Sequence, residues 1–170
     1  MSFADFIKTT VILCAGAATT LAAVTVLSAA AEHDPGAATV SFFWWAIAAA
    51  IGVWLGARSA SSPAIGRLLV NAKTVRDVPA PRPGLIMLSR LWLLLVLTLV
   101  AGVLGVLAPQ IPGIAAGFTI LSALAWRNQY AAVLAVEGRD GVRFYVDRNS
   151  PWRPITLSRA PGFKVYRPEP

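Results

Sequence analysis

Residues 9–31 read TTVILCAGAATTLAAVTVLSAAA, a run of 23 residues without a charged side chain. About 20 helical residues cross the hydrocarbon core of a bilayer, so this run predicts a transmembrane helix. Three further apolar runs follow at residues 40–57, 91–108 and 111–126, and the last reaches spanning length if it continues to residue 130. The sequence therefore predicts four transmembrane helices, over residues 9–31, 40–57, 91–108 and 111–130.

The composition also indicates a membrane protein. Hydrophobic residues make up 56% of the 170-residue chain and charged residues only 14%, and the mean hydropathy is +0.64. Ordinary soluble domains contain fewer apolar residues and about 25% charged ones. We therefore expect an all-α integral membrane protein rather than a soluble domain.

The positive charges predict the orientation of the spans. The 15 lysines and arginines fall in the amino terminus, in the second-to-third connection, and in the tail together with Arg127 near the end of the fourth expected helix. The other two connections carry only Glu32 and Asp34 as charged residues. Because cytoplasmic loops are enriched in basic residues, this asymmetry predicts that both termini are cytoplasmic. The net charge of +7 then reflects topology, and no aromatic-basic module of adequate size indicates nucleic-acid binding.

The amino terminus has two interpretations. Lys8, an apolar run and the small residues of SAAAEHD at positions 28–34 resemble a secretory signal. A signal peptide has an apolar core of about 7 to 15 residues, whereas this run is longer. An uncleaved first helix is therefore the favoured interpretation, and cleavage would leave three spans.

Two G-x-x-x-G motifs lie in the spans, at Gly52 and Gly56 and at Gly113 and Gly117. Each motif places two glycines on one face of a helix, where backbones of neighbouring helices can approach closely in lipid. The neighbour is either a helix of the same bundle or a helix of another subunit. These four glycines are the candidate helix-packing residues.

The connection between the second and third expected helices contains the pattern of an amphipathic helix. Ser62 and Pro63 are typical of a helix start, and apolar residues recur at helical spacing after them. Residues 63–76 therefore predict a cytoplasmic interfacial helix whose basic residues bind anionic lipid headgroups. The candidate lipid-contacting residues are Arg67, Lys73 and Arg76.

The carboxyl-terminal tail has the alternation of strands. Residues 142–146, VRFYV, alternate apolar and polar side chains, and the preceding EGRDG has the composition of a turn. Residues 131–137 are expected to form the preceding strand, and residues 155–159 and 163–167 further ones. The sequence thus predicts a transmembrane domain over residues 1–128 and a small β-hairpin or meander over residues 129–170.

A meander of about 40 residues buries too little surface to be stable alone. We therefore expect the tail to dock on the rest of the protein, the membrane surface or another subunit. Its candidate docking residues are Val142, Phe144, Val146 and Trp152.

The sequence contains no pattern typical of a catalytic, metal or nucleotide site, and no ionisable residue lies deep in a predicted span. We therefore expect no enzyme activity, no cofactor and no metal. The expected function is that of a noncatalytic accessory or scaffold subunit of a membrane complex, with the lipid bilayer and a membrane protein or a second copy as partners. The alternative is an oligomeric small-solute transporter, channel or export component. Arginine outnumbers lysine and alanine is abundant, which favours a bacterial inner membrane.

Overall fold

A computed structural model describes residues 1–59, 72–74, 83–108, 110–146 and 157–161 of the chain. These residues are mostly helical and include a small sheet. In chain order the elements are α1 (Phe3–Ala31), α2 (Pro35–Ser59), β1 (Lys73–Thr74), α3 (Pro83–Leu104), α4 (Gln110–Asp140), β2 (Val142–Val146) and β3 (Leu157–Pro161).

Each predicted span lies within or largely within one of the four helices. Helix α1 and the segment Pro35–Arg58 of α2 are long and apolar enough, by length and composition, to cross a membrane. The segment Leu91–Leu104 of α3 is a shorter apolar helix. Thus two of the four predicted spans meet this criterion among the described residues.

Local hydrogen bonds fix the ends of α1 and α2. The Ser2 hydroxyl oxygen accepts a hydrogen bond from the Asp5 backbone N–H at 3.1 Å, which caps the start of α1. At the other end His33 has a φ of +53°, and the N–H of Asp34 donates to the carbonyl of Ala29 at 3.0 Å. This is the Schellman arrangement that ends many helices, here with histidine where glycine is usual. The turn directs the chain straight into α2.

Helix α4 is central, and α1 and α2 pack along most of its length. The start of α2 and the end of α1 lie near the start of α4, since Ser41 and Thr25 both approach Gly113. Helix α2 therefore runs parallel to α4 and α1 runs antiparallel to it. Helix α3 makes fewer contacts, with α1 and α4. The buried face of α1 follows helical spacing, as expected for a helix with one packed face: Ile7, Thr10, Cys14, Ala18, Leu21, Thr25 and Ala29.

The three strands form one sheet in the order β1, β3, β2. Strand β3 is antiparallel to β2, with Val146 opposite Leu157, and it is parallel to the two-residue β1, with Lys73 opposite Ser158. The strand predicted for residues 142–146 is present, and β3 overlaps the one predicted for residues 155–159. The strand predicted for residues 163–167 lies outside the described residues.

The prediction of a strand over residues 131–137 was wrong, because α4 continues to Asp140. Trp126, Tyr130, Val133 and Val136 recur at helical spacing and all belong to or pack against one apolar cluster. The helix therefore runs through the expected domain boundary at residues 128 and 129. It ends just before Gly141, whose φ of +60° lets the chain turn directly into β2.

The predicted interfacial helix over residues 63–76 lies mostly outside the described residues. Where this segment is described, at residues 72–74, the helical prediction was wrong because Lys73–Thr74 is a strand. Its partner in the sheet is β3, more than 80 residues away in the chain. A strand that pairs with such a distant partner has no signal in its neighbouring residues. The apolar residues at helical spacing therefore led to the prediction of a helix.

Candidate functional site

Gly52 and Gly56 lie where α2 contacts α4. A Cβ atom built on Gly52 would lie 2.9 Å from the carbonyl oxygen of Leu121, and one on Gly56 would lie 2.7 Å from that of Leu124. Real Cβ atoms essentially never approach other atoms this closely. The missing side chains therefore allow the backbones of α2 and α4 to touch.

Gly113 and Gly117 lie at the same contact, on the α4 side. A Cβ atom on Gly113 would overlap the hydroxyl of Ser41, and one on Gly117 would overlap the indole ring of Trp44. The structure thus places both G-x-x-x-G motifs between two helices of one chain. These contacts are with a helix of the same chain, and contact of the motifs with another subunit stays a prediction. We call these four glycines the glycine seam.

Two tryptophans of α2 form hydrogen bonds across the glycine seam near the start of α4. The indole N–H of Trp45 donates to the carbonyl of Gly113 at 2.8 Å, and that of Trp44 donates to the carbonyl of Ile114 at 3.1 Å. The Trp44 ring also packs edge to face against Phe118, with ring centroids 5.5 Å apart. Both tryptophans are partly exposed, and the partner of each indole N–H is the backbone of α4.

The tail residues Val142, Phe144 and Val146 are buried at the opposite end of the bundle. Phe144 is only 2% exposed, whereas the neighbouring Arg143 is exposed. We call the apolar cluster around Phe144 the basal cluster. Its buried members are Phe3, Ala4, Phe6, Ile7, Val133, Val142, Phe144, Val146 and Leu157. Trp152, the fourth residue predicted to dock, lies outside the described residues.

Hydrogen bonds join the basal cluster to the amino terminus and to α4. The backbone N–H of Val146 donates to the carbonyl of Met1 at 3.2 Å, and Ser2 forms an isolated bridge with Tyr145. The backbone N–H of Phe144 donates to the side chain of Glu137 at 3.0 Å. The unpaired backbone groups of an edge strand can pair with another chain. In β2 these hydrogen bonds occupy backbone groups along its outer edge.

The amino-terminal part of this site escaped the sequence analysis. Phe3, Phe6 and Ile7 precede the apolar run at residues 9–31, and the presence of Asp5 and Lys8 hides them from a search for uncharged stretches. Their spacing of three and four residues is the signal that would have found them. They form the part of the cluster on which β2 rests.

The predicted lipid-contacting residues are only partly placed. Lys73 lies in β1, on the sheet that covers the basal cluster, and Ala72 beside it packs against that cluster. Arg67 and Arg76 lie outside the described residues.

Asp34, in the α1–α2 turn, has a structural role. The Asp34 carboxylate accepts hydrogen bonds from the backbone N–H groups of Gly36 and Ala37, at 3.0 and 3.1 Å, and so caps α2. Across the described residues, no group of three or more histidine, cysteine or acidic side chains could hold a metal ion. In the tail, a hydrogen bond from Arg139 lowers the pKa of Asp140, but the pair is exposed and solvent screening leaves it little effect on stability.

Several hydroxyl groups within the described helices are satisfied locally. Six donate to a carbonyl one turn earlier in their own helix, at 2.7 to 3.0 Å: Thr10, Thr19, Thr20, Thr25, Thr98 and Ser122. Thr119 bonds in the same way to Ala116 at 2.8 Å. Such bonds are common for hydroxyls in apolar surroundings. These seven hydroxyls are therefore not free donors for a polar path.

We compared the chain with protein-family models, with curated proteins and with solved structures, and none of them matches it.

Proposed function

We propose that the chain is an integral membrane protein that crosses the bilayer four times. The main support is the surface of the helices. Large apolar side chains are exposed along α1, α2 and α3, among them Leu27 at 70%, Phe42 at 66% and Leu99 at 68%. In α1 and in Pro35–Arg58 of α2, the two segments long and apolar enough to cross a membrane, only 22% of the apolar stretch is buried, although the core helix of a soluble protein is mostly buried. Hydrocarbon is the solvent that such a surface requires.

The lengths of the helices and the distribution of charge support the same proposal. Helix α1 has 29 residues and α4 has 31, which correspond to about 44 and 47 Å, longer than a hydrocarbon core of about 30 Å. Lys8, Arg58 and Arg127 lie in the half of the bundle that carries the tail. We propose that this end is cytoplasmic and faces anionic lipids, and that the membrane is a bacterial inner membrane.

The packing of α1 favours its retention in the mature protein. Helix α1 lies along α4, and Phe3, Phe6 and Ile7 contribute to the basal cluster. Cleavage of residues 1–31 would remove a packed helix and uncover Phe144. We therefore propose an uncleaved first span.

Within the membrane, we propose that the protein acts as a noncatalytic accessory or scaffold subunit of a membrane complex. The observation that carries this proposal is a bundle in which small residues bring α2 and α4 together and seven hydroxyl groups of the described helices bond to their own backbone. A solute pathway or a membrane-embedded active site needs polar or ionisable groups that remain free to bind. The alternative, an oligomeric transporter, would have to form its path between subunits.

Purification in a mild detergent tests the subunit proposal. We expect the chain, tagged at its carboxyl terminus because Met1 packs against the basal cluster, to retain a partner protein at fixed stoichiometry through gel filtration. The same chain alone in proteoliposomes should give no more solute flux than empty vesicles. A chain that elutes without a partner protein and conducts solutes would contradict the proposal and favour the transporter. An unrelated four-span protein with the same tag is the control for adventitious partners.

A further inference from the structure

The last turn of α3 is packed against the rest of the bundle. A Cβ atom built on Gly105, directly after α3, would lie 2.9 Å from a side-chain carbon of Val24 in α1 and 2.9 Å from one of Pro112 in α4. Ala101 is buried in a cluster that includes Ala116 of α4. The end of α3 therefore lies beside the start of α4, and α3 runs antiparallel to α4.

The first half of α3 has much less packing. None of the side chains described over residues 91–100 is buried, and most are exposed, with Leu93 at 49%, Leu97 at 58% and Leu99 at 68%. A Cβ atom built on Gly102 would meet no atom within 4 Å. Burial of side chains therefore contributes little to holding this half of α3 against the bundle.

The tail sheet reaches the chain just before α3. Because α3 is antiparallel to α4, its start at Pro83 lies at the end of the bundle that carries the basal cluster. Shortly before it, Ala72 packs against that cluster, and Lys73 and Thr74 pair with β3. Strand β3 in turn pairs with β2, which Phe144 anchors in the cluster. The chain entering α3 is thus fastened to the tail.

This fastening shortens the tether of α3. Residues 60–82 join α2 to α3, but with β1 in the sheet only residues 75–82 separate a fixed point from α3. The shorter segment reaches at most about 28 Å. The probability that a segment brings its ends together falls roughly as the −3/2 power of its length, so the shortening raises the local concentration of α3 at the bundle about fivefold.

We propose that the tail sheet fastens the start of α3 to the bundle, so that release of the tail from the basal cluster lets α3 move away from α1. The coupling runs from Phe144 through β2, β3 and β1 to Pro83. Helix α3 turns about its packed end near Gly105, and the gap between α1 and α3 widens toward the tail. This coupling goes beyond the proposed subunit function, since it operates in a scaffold and in a transporter alike.

Distances between spin labels test this proposal in the purified full-length protein in detergent. In a Cys14→Ala background, labels at Ile12→Cys and Leu93→Cys report the separation of α1 and α3 in the halves nearer the tail, and both positions are exposed. With the sheet intact we expect one narrow distance distribution.

The double-proline variant, Lys73→Pro with Thr74→Pro, breaks the fastening at β1. It removes both backbone N–H groups of the strand, and one of them faces β3 because successive N–H groups of a strand point to opposite edges. We expect the population at longer Ile12–Leu93 distances to rise about fivefold, as the length of the tether requires. Hydrogen exchange of β2 should stay slow, since Phe144 remains docked.

Two further label pairs show whether the movement is confined to this half of α3. Leu27→Cys with Val106→Cys reports the packed end of α3, and Ile12→Cys with Val53→Cys joins α1 to α2; these positions are also exposed. Both distances should be the same in the double-proline variant as in the protein with β1 intact.

Phe144→Ala breaks the same coupling at the basal cluster. It should broaden the Ile12–Leu93 distance as the double-proline variant does, and it takes the place of that variant if the prolines prevent folding. Arg143→Ala, which alters an exposed side chain of the same strand, should leave the distance unchanged. An Ile12–Leu93 distance that stays narrow after β1 is broken would overturn the proposal. Equal broadening of all three label pairs would also overturn it, because the whole bundle would then have loosened.

Discussion

Replacement of Phe144 by alanine is expected to release the tail sheet from the bundle. Phe144 is 2% exposed and packs among Phe3, Phe6 and Val133, so its truncation leaves a cavity in the middle of the basal cluster. Truncation of a buried phenylalanine to alanine costs about 3–5 kcal/mol. Such a loss corresponds to roughly 100-fold or greater acceleration of amide hydrogen exchange in a locally opening unit. The measurement is hydrogen exchange of β2 in the purified full-length protein.

Arg143→Ala is the control for this experiment. Arg143 precedes Phe144 in the same strand but is exposed, so its loss should change stability by less than about 0.5 kcal/mol. Exchange of β2 should then remain close to that of the unchanged protein. Equal protection of β2 in Phe144→Ala and in the unchanged protein would show that the sheet does not depend on the basal cluster.

Replacement of Gly56 by alanine is expected to separate α2 from α4. The added methyl group would lie 2.7 Å from the carbonyl oxygen of Leu124 and 3.5 Å from the Cα of Ala125, both of which are backbone atoms that cannot rotate away. Overpacking of this kind costs about 1–3 kcal/mol. The protein is heated in detergent and the folded fraction is measured by gel filtration. The midpoint temperature of unfolding should be lower for Gly56→Ala than for the unchanged protein.

Gly16→Ala and Gly102→Ala are matched controls on other helix faces. A Cβ atom at either position meets no atom within 4 Å, so the change should leave stability equal or raise it by up to about 1 kcal/mol. A Gly56→Ala protein as stable as these two controls would contradict the close backbone contact at the seam.

The sequence predicted those parts of the fold that depend on local composition. Long uncharged runs located the four helices, and the alternation in VRFYV located β2. The G-x-x-x-G spacing identified the four glycines that the structure places at one helix contact. In each case the signal lies within a few consecutive residues.

Other parts depend on distant contacts and were missed for that reason. Residues 131–137 were predicted as a strand, but Val133 and Val136 belong to or pack against the basal cluster with helical periodicity. Lys73 and Thr74 were assigned to a helix, but they pair with β3. The amino-terminal residues before Thr9 carry charges and were not recognised as part of the site that holds the tail. Their role follows from the antiparallel packing of α1 on α4, which brings them beside β2.

The central claim is a membrane bundle of four crossings with the tail docked at its cytoplasmic end. Topology labelling is its most direct test. Single cysteines are introduced in a Cys14→Ala background, at Glu32 in the α1–α2 turn and at Asp140 at the end of α4. Glu32 is exposed and its side chain does not cap α2, unlike that of Asp34. An impermeant maleimide should label Glu32→Cys in intact cells and Asp140→Cys only after the membrane is opened. Labelling of both positions from the same side would contradict the account.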